Sequence, residues 1–422
     1  METPESKARS NAMEEGHVEE KQAVEEEDED EEEEVWAWSW GAGTDGQLGI
    51  GTLEDQALPQ PLRFGSSSPP PLLGIARIAC GGAHAIALTG DGRVLTWGRG
   101  MRGQLGHGEL ENCVRPKPVK FFESFTISYV SAGWNHSGFV TDKGRLFMCG
   151  DGSFGQLGNG DNQSHNFPVE VLFFTSKHVE QIACGMRHSL ALVTGDVIYG
   201  FGSGRHGQIG QCLSRAQRSY NCPEVIQGFG DCKFVGLFAN GDHSAALTSD
   251  GQLYIWGRGF SGSADDFHPR LMPLPLKISQ VALGWHHALV TTDGKVYMFG
   301  GYRHGFGGSA VVNRMQHQSA VPSTPCIDVD ETHRLPALEK VPGLDGERVV
   351  HIATGAEHSA LITEKGTIMT WGWGEHGQLG LGGTCDQTCP QIVNVKNRRS
   401  FASAPLGIYC GSGFTVVAKL DV

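Results

Sequence analysis

The 422-residue sequence predicts an all-β fold, a seven-bladed β-propeller with a composite closing blade made from both ends of the domain. Three observations carry this. A unit met at 78–108, IACGGAHAIALTGDGRVLTWGRGMRGQLGHG, returns at 130–160, 182–210, 281–308 and 352–382, with a shortened copy at 235–262. Each copy alternates apolar and polar residues between glycine-containing turns, and period-two alternation is the pattern of strands, whose successive side chains face opposite ways. Two half-units remain at the ends: VWAWSWG with GAGTDGQLG near residue 40, and IYCGSGFTVVA at 408–418.

The repeat length follows from six aligned histidines, in a slot that reads Gly-x-x-His except at His243: His84, His136, His188, His243, His287 and His358, spaced 52, 52, 55, 44 and 71 residues apart; Phe414 takes the slot 56 residues later. About 50 residues per repeat without helical periodicity argues for propeller blades rather than an α-solenoid. Pairing the two half-units closes the ring and hides sheet edges that would otherwise template aggregation.

Along the chain, residues 1–34 hold 16 Asp/Glu against 3 Lys/Arg, with ten consecutive acids at 25–34. Such a segment repels itself and has too few apolar residues to offset ordering entropy, so a disordered, solubilising tail dispensable for folding is expected, with 35–422 forming the propeller. The stretch 65–73, with its SSSPPPLL, reads as an exposed loop. Copies at His84 and His136 are regular, the His243 and His287 copies lack the closing Gly-Gln-Leu-Gly, and 309–348 reads as a long, functional or mobile insertion with Pro322, Pro325 and Pro336.

The formal charge of −14 sits almost wholly in the tail; the remainder carries 31 acids and 30 bases. A nearly neutral domain gives no reason to expect general electrostatic binding to nucleic acid. Gly at 60 of 422 is about twice the usual ~7%, but the glycines occupy fixed repeat positions and mark turns. Of eleven cysteines, Cys80, Cys184 and Cys410 share one slot before the Gly-x-x-His glycine, as small buried residues; Cys385 and Cys389 have no second pair nearby, and no zinc site is expected. With neither an apolar h-region at the acidic N-terminus nor a run of 18 apolar residues, the expectation is a soluble protein with reduced thiols, cytoplasmic and/or nuclear, with no membrane partner.

Matches to Gly-x-Gly-x-x-Gly begin at Gly41, Gly98, Gly150, Gly202, Gly257 and Gly372. A dinucleotide fingerprint needs a following helix in a βαβ unit, whereas these run into loops, so they read as turn glycines. The six histidines recur one per blade, and ligands spread around a ring do not converge on one metal; the reading is structural, each ring bonding to backbone of the neighbouring strand or blade. No nucleophile with an adjacent base is found, so no enzymatic catalysis, cofactor or small-molecule substrate is expected. The variable slot before Gly-Gln-Leu-Gly holds Arg99, Arg102, Arg205, His206, Arg258, Arg303 and His304, with Glu375 against the trend. Equivalent loops leave a propeller on one side, and arginine pairs well with carboxylates, so these residues form a candidate partner-binding face.

In one ordered unit, Gly-x-x-His-Ser/Ala, the Asp-Gly turn, Trp-Gly and Gly-Gln-Leu-Gly make the chain resemble the RCC1 (regulator of chromosome condensation) family over residues 35–418. The resemblance implies a seven-bladed propeller with a composite blade. Members of the family include an exchange factor for the Ran GTPase that also binds chromatin, the plant ultraviolet-B receptor, and interaction modules without catalytic activity. The function it implies is a non-enzymatic protein-interaction module, with guanine-nucleotide exchange or regulation of a small GTPase as one form. The alternative is a photoreceptor-like or chromatin-associated signalling protein. A second variable slot is the two positions before each repeat histidine, Met186-Arg187 among them; in the ultraviolet-B receptor it reads GWRHT in three successive blades, whereas here only Trp134 and Trp285 fill it, in non-adjacent repeats and without a following Arg, which argues against photoreception.

Overall fold

The structure is a computed structural model that describes residues 36–64, 74–211, 218–260, 264–300, 338–395 and 405–421. The described strands form seven four-stranded antiparallel sheets, each a blade. Blade 1 is the composite, in the order Gln56–Leu62, Ala37–Gly41, Phe414–Lys419, Leu406–Cys410. Blades 2 to 7 run in chain order, with first strands Ile75–Cys80, Ile127–Ala132, Val179–Cys184, Phe234–Asn240, Gln280–Leu283 and Val349–Thr354. Of the 309–348 stretch, Glu339–Lys340 pairs with Tyr297 and Met298 as the fourth strand of blade 6, and Val341 and Leu344 are buried behind it. The acidic tail and the 65–73 stretch lie outside the described residues.

The register of the second and third strands is the same in every blade. Each slot histidine pairs with a glycine at or one residue before the end of the third strand: His84 with Gly98, His136 with Gly150, His188 with Gly202, His243 with Gly257, His287 with Gly300 and His358 with Gly372. Phe414 pairs with Gly41 across the closing blade in the same way. Gly98 shows why glycine is required there: its φ is +98°, and a Cβ would lie 2.5 Å from the Ala83 carbonyl oxygen.

The core lies between blades rather than within one. Each of the seven apolar clusters draws on two neighbouring sheets; one joins Leu146, Met148 and Phe174 of blade 3 to Ile182 and Phe201 of blade 4. The residue before the slot-paired glycine fills each seam, as Trp40, Trp97, Cys149, Phe201, Trp256, Phe299 and Trp371, all at most 2% exposed. Prolines sit in the outer strands, for example Pro59, Pro116, Pro168, Pro223, Pro269 and Pro390, where a missing N–H blunts an edge.

Candidate functional site

Antiparallel order places the loops after the first and third strands of a blade on one side. The Gly-x-x-His loops and the Gly-Gln-Leu-Gly loops therefore share a face, and the slot histidines lie directly beneath it.

Five of the six histidines are buried links to the next blade through a side-chain hydroxyl: His84 to Ser137, His136 to Ser189, His188 to Ser244 and His287 to Ser359 at 2.9 Å, and His358 to Thr415 at 3.0 Å. The hydroxyls of Ser137, Ser189, Ser244 and Thr415 donate their proton to the carbonyls of Gln104, Gln156, Gln208 and Gln378. They must therefore accept from the histidine, which assigns the proton to Nε2. The expected backbone acceptor occurs only at His243, whose Nε2 lies 2.6 Å from the Trp285 carbonyl and Nδ1 2.7 Å from that of Arg258. The cause is the neighbour: the residue after His287 is Ala288, not serine. The same explains Phe414, since the next blade offers Ala85. Except at His243, where Asn240 stands in its place, the glycine three residues before each ring makes room for it; a Cβ on Gly185 would sit 2.2 Å from His188 Cε1.

Burial pulls the pKa of His84, His188 and His358 down to about 3 and that of His136 and His287 to about 4. Burial likewise takes His243 to about 4, against the opposing pull of its two carbonyl contacts. The Nδ1 atoms of His84, His136, His188 and His358 have no hydrogen-bond partner among the described residues, so a second proton there would be a buried, unpaired charge. Unfolded, each ring binds its proton near pH 6.5; folded, only at about pH 3–4. The unfolded state holds more protons in between, so stability is complete above about 6.5 and falls as pH drops towards 3. Calorimetric melting temperatures are expected to decline across that window, with a limiting slope of about 1.4 kcal/mol per pH unit per histidine.

Above the histidines the loops form a hydrogen-bonded collar. The N–H groups of Gly82, Trp134, Met186, Trp285, Ala356 and Ser412 donate to carbonyls of the following blade, at 2.8–3.1 Å. Between blades 5 and 6 the link is made by side chains, His243 as above and Asn240 Nδ2 to the Leu283 carbonyl at 2.5 Å. Inside the collar Trp134 and Trp285 meet, with ring centroids 5.2 Å apart and planes tilted by 48°. Their separation in sequence wrongly suggested separation in space: both slots point to the axis, so residues of blades 3 and 6 touch across it.

The arginine slot is less uniform than its sequence. Arg99 pairs with Asp45 at 2.6 Å and Arg258 with Asp242 at 3.8 Å, while His206 donates through Nδ1 to Asp265 at 2.8 Å. Arg303 and His304 lie outside the described residues. Arg102 and Arg205 are exposed with no carboxylate partner among the described residues. Arg187, exposed and lying 4.9 Å from the Phe154 ring, and Arg218, exposed at the end of the third loop of blade 4, belong with them. Sequence reasoning passed over both. Arg187 stood in the other variable slot, whose loops share the face, and Arg218 had no repeat position to mark it.

The RCC1-like domain model matches residues 36–417. The chain belongs to the RCC1-like family. This RCC1-like propeller is 30% identical over 354 residues to the ultraviolet-B receptor of Arabidopsis thaliana, covering 84% of the chain and 64% of that receptor. It is 30% identical over 390 residues to the secretion-regulating guanine nucleotide exchange factor of Bos taurus, covering 89% of the chain and 81% of the relative. Among solved structures, Prp20p of Saccharomyces cerevisiae, described with its binding to Gsp1p and histones, superposes with a TM-score of 0.72 at 23% identity over 92% of each chain. The chain thus spans slightly less than two thirds of the photoreceptor. The three-blade tryptophan–arginine series is absent from this RCC1-like chain, and Arg187 lies against Phe154 rather than against either axial tryptophan.

Proposed function

We propose that this RCC1-like propeller is a non-enzymatic interaction module that docks an acidic protein surface on the Gly-x-x-His face, as a guanine-nucleotide exchange factor or regulator of a small GTPase. One observation carries the reading: Arg102, Arg187, Arg205 and Arg218, exposed cations of this face with no carboxylate partner among the described residues, fall within blades 2 and 4, with only blade 3 between them. Arg99, His206 and Arg258 of the arginine slot have their positions set by Asp45, Asp265 and Asp242. Exchange needs no catalytic base. A partner that binds the nucleotide-free GTPase better than the loaded form lowers nucleotide affinity by the same factor. The exchange-factor relative supports this form over the others.

The test is charge reversal at Arg102 and Arg205 together. Partner capture and release of labelled GDP from a panel of small GTPases are expected to fall about tenfold or more, with an association rate that also falls as salt rises. The melting temperature is expected to hold, because both side chains are exposed. An unchanged partner set would remove this face from consideration. A salt-controlled nucleosome shift that responds to the reversal while GDP release does not would move the reading to chromatin.

A further inference from the structure

The first strands of all seven blades enclose an axial cavity of about 590 Å³. At the Gly-x-x-His end the collar and the Trp134–Trp285 pair narrow the space to about 60 Å³. The opposite end is polar. Strand alternation places Arg77, Tyr129, Gln181, Gln280 and His351 at one level, fixed by pairing with Leu88, Val140, Leu192, Thr291 and Ile362. The two remaining blades have Gly236 and Gly407 at this level. Those glycines leave room for the aromatic two residues on: a Cβ on Gly236 would sit 2.7 Å from Phe238 Cζ, and one on Gly407 2.6 Å from Tyr409 Oη. Phe238 and Tyr409 therefore lean along the wall towards the mouth. Deeper in, the inward side chains are small, Ala79, Ala183, Ala282 and Ala353 among them.

The charge at the mouth is one-sided. The Arg77 guanidinium lies 4.1 Å from the Tyr129 ring centroid. No Asp or Glu lines the cavity, and Arg77 has no ion-pair partner among the described residues. His351 accepts the Ile408 N–H through Nδ1 at 2.9 Å, which leaves the proton on Nε2 as a further donor beside Tyr409, 5.6 Å away between ring centroids. A cavity of this size lies within the range that holds small ligands, roughly 300–1,000 Å³, and its guanidinium and ring donors gather at one end, above small side chains.

We propose that the axial cavity is a binding site for a small amphipathic carboxylate, with the acid group on Arg77 at the mouth and the apolar body against the alanine-lined floor. A carboxylate answers the planar guanidinium with paired hydrogen bonds, and the tyrosine and histidine donors complete its shell. The site is separate from the arginines of the opposite face and does not depend on their role.

Titration calorimetry of the full chain with sodium decanoate tests it, with decanol as the uncharged probe of the same length. Decanoate is expected to bind one site at least tenfold tighter than decanol. Arg77→Met should bring decanoate to the decanol level without moving the melting temperature, because that side chain is exposed. Ala282→Leu, which fills the floor, should weaken both probes alike. Equal affinity of the wild type for decanoate and decanol, undiminished decanoate binding by Arg77→Met, or no saturable binding at millimolar decanoate would each overturn the proposal.

Discussion

A chain that stops at Pro405 is expected not to fold cooperatively. The deletion removes Leu406–Cys410 and Phe414–Lys419, the two inner strands of the closing blade. Ile408, Phe414, Val416, Val417 and Ala418, none with measurable exposure, leave with them. Phe414, Val416 and Ala418 belong to the seam with blade 2, Ile408 and Val417 to the seam with blade 7. Burial of a large apolar side chain contributes about 1.5–3 kcal/mol, so the loss reaches about 10 kcal/mol, comparable to the whole stability of a typical domain. Ala37–Gly41 would also become an unpaired edge on one side, because its partner there is Phe414–Lys419. Circular dichroism of the truncated chain during heating should show no sigmoidal transition. A melting curve like that of the full chain would refute closure by terminal pairing.

The second large effect concerns the one blade without a histidine link. Phe414→His places an imidazole above Gly411, where the phenyl ring now lies, but Ala85 offers it no hydroxyl. A buried ring with an unsatisfied N–H costs about 1–3 kcal/mol, in addition to the lost apolar contact. Ala85→Ser alone buries a hydroxyl at a seam, although the Gln47 carbonyl is within the pattern to receive it. That carbonyl already accepts the Trp97 N–H at 2.9 Å, and the carbonyl of Gln208 shows that two donors fit, accepting both Ser244 and Trp256. The double variant therefore completes a seventh link. Denaturant unfolding of both single variants and the double should give a favourable coupling of about 1 kcal/mol or more. Additive costs would show that the links are incidental to stability.

Much of this was legible in the sequence, because the information is local and repeated. The period, with the Trp-Gly and Gly-Gln-Leu-Gly marks where they occur, defines the blades, and the broken units near residues 40 and 410 define closure. Even the exceptions were written in neighbouring letters. The serine or threonine after each slot predicts which histidine of the preceding blade finds a hydroxyl; Ala288 marks the one histidine that does not, His243, and Ala85 the slot that holds Phe414. That rule went unread because the hydroxyl and the imidazole it serves stand more than 50 residues apart.

The tertiary structure decided what depends on how seven similar units close around an axis. Trp134 and Trp285 are 151 positions apart in sequence and in contact at the collar. Arg99 is neutralised by Asp45 across the seam with the closing blade, whereas Arg102, three residues on, has no such partner among the described residues. The cavity and its one cation exist only because first strands from every blade face one line. A strand pattern specifies which side of a sheet a residue occupies. Which residue it meets across the axis follows from the number of blades and the lengths of the loops between them, and those are read only once the ring has closed.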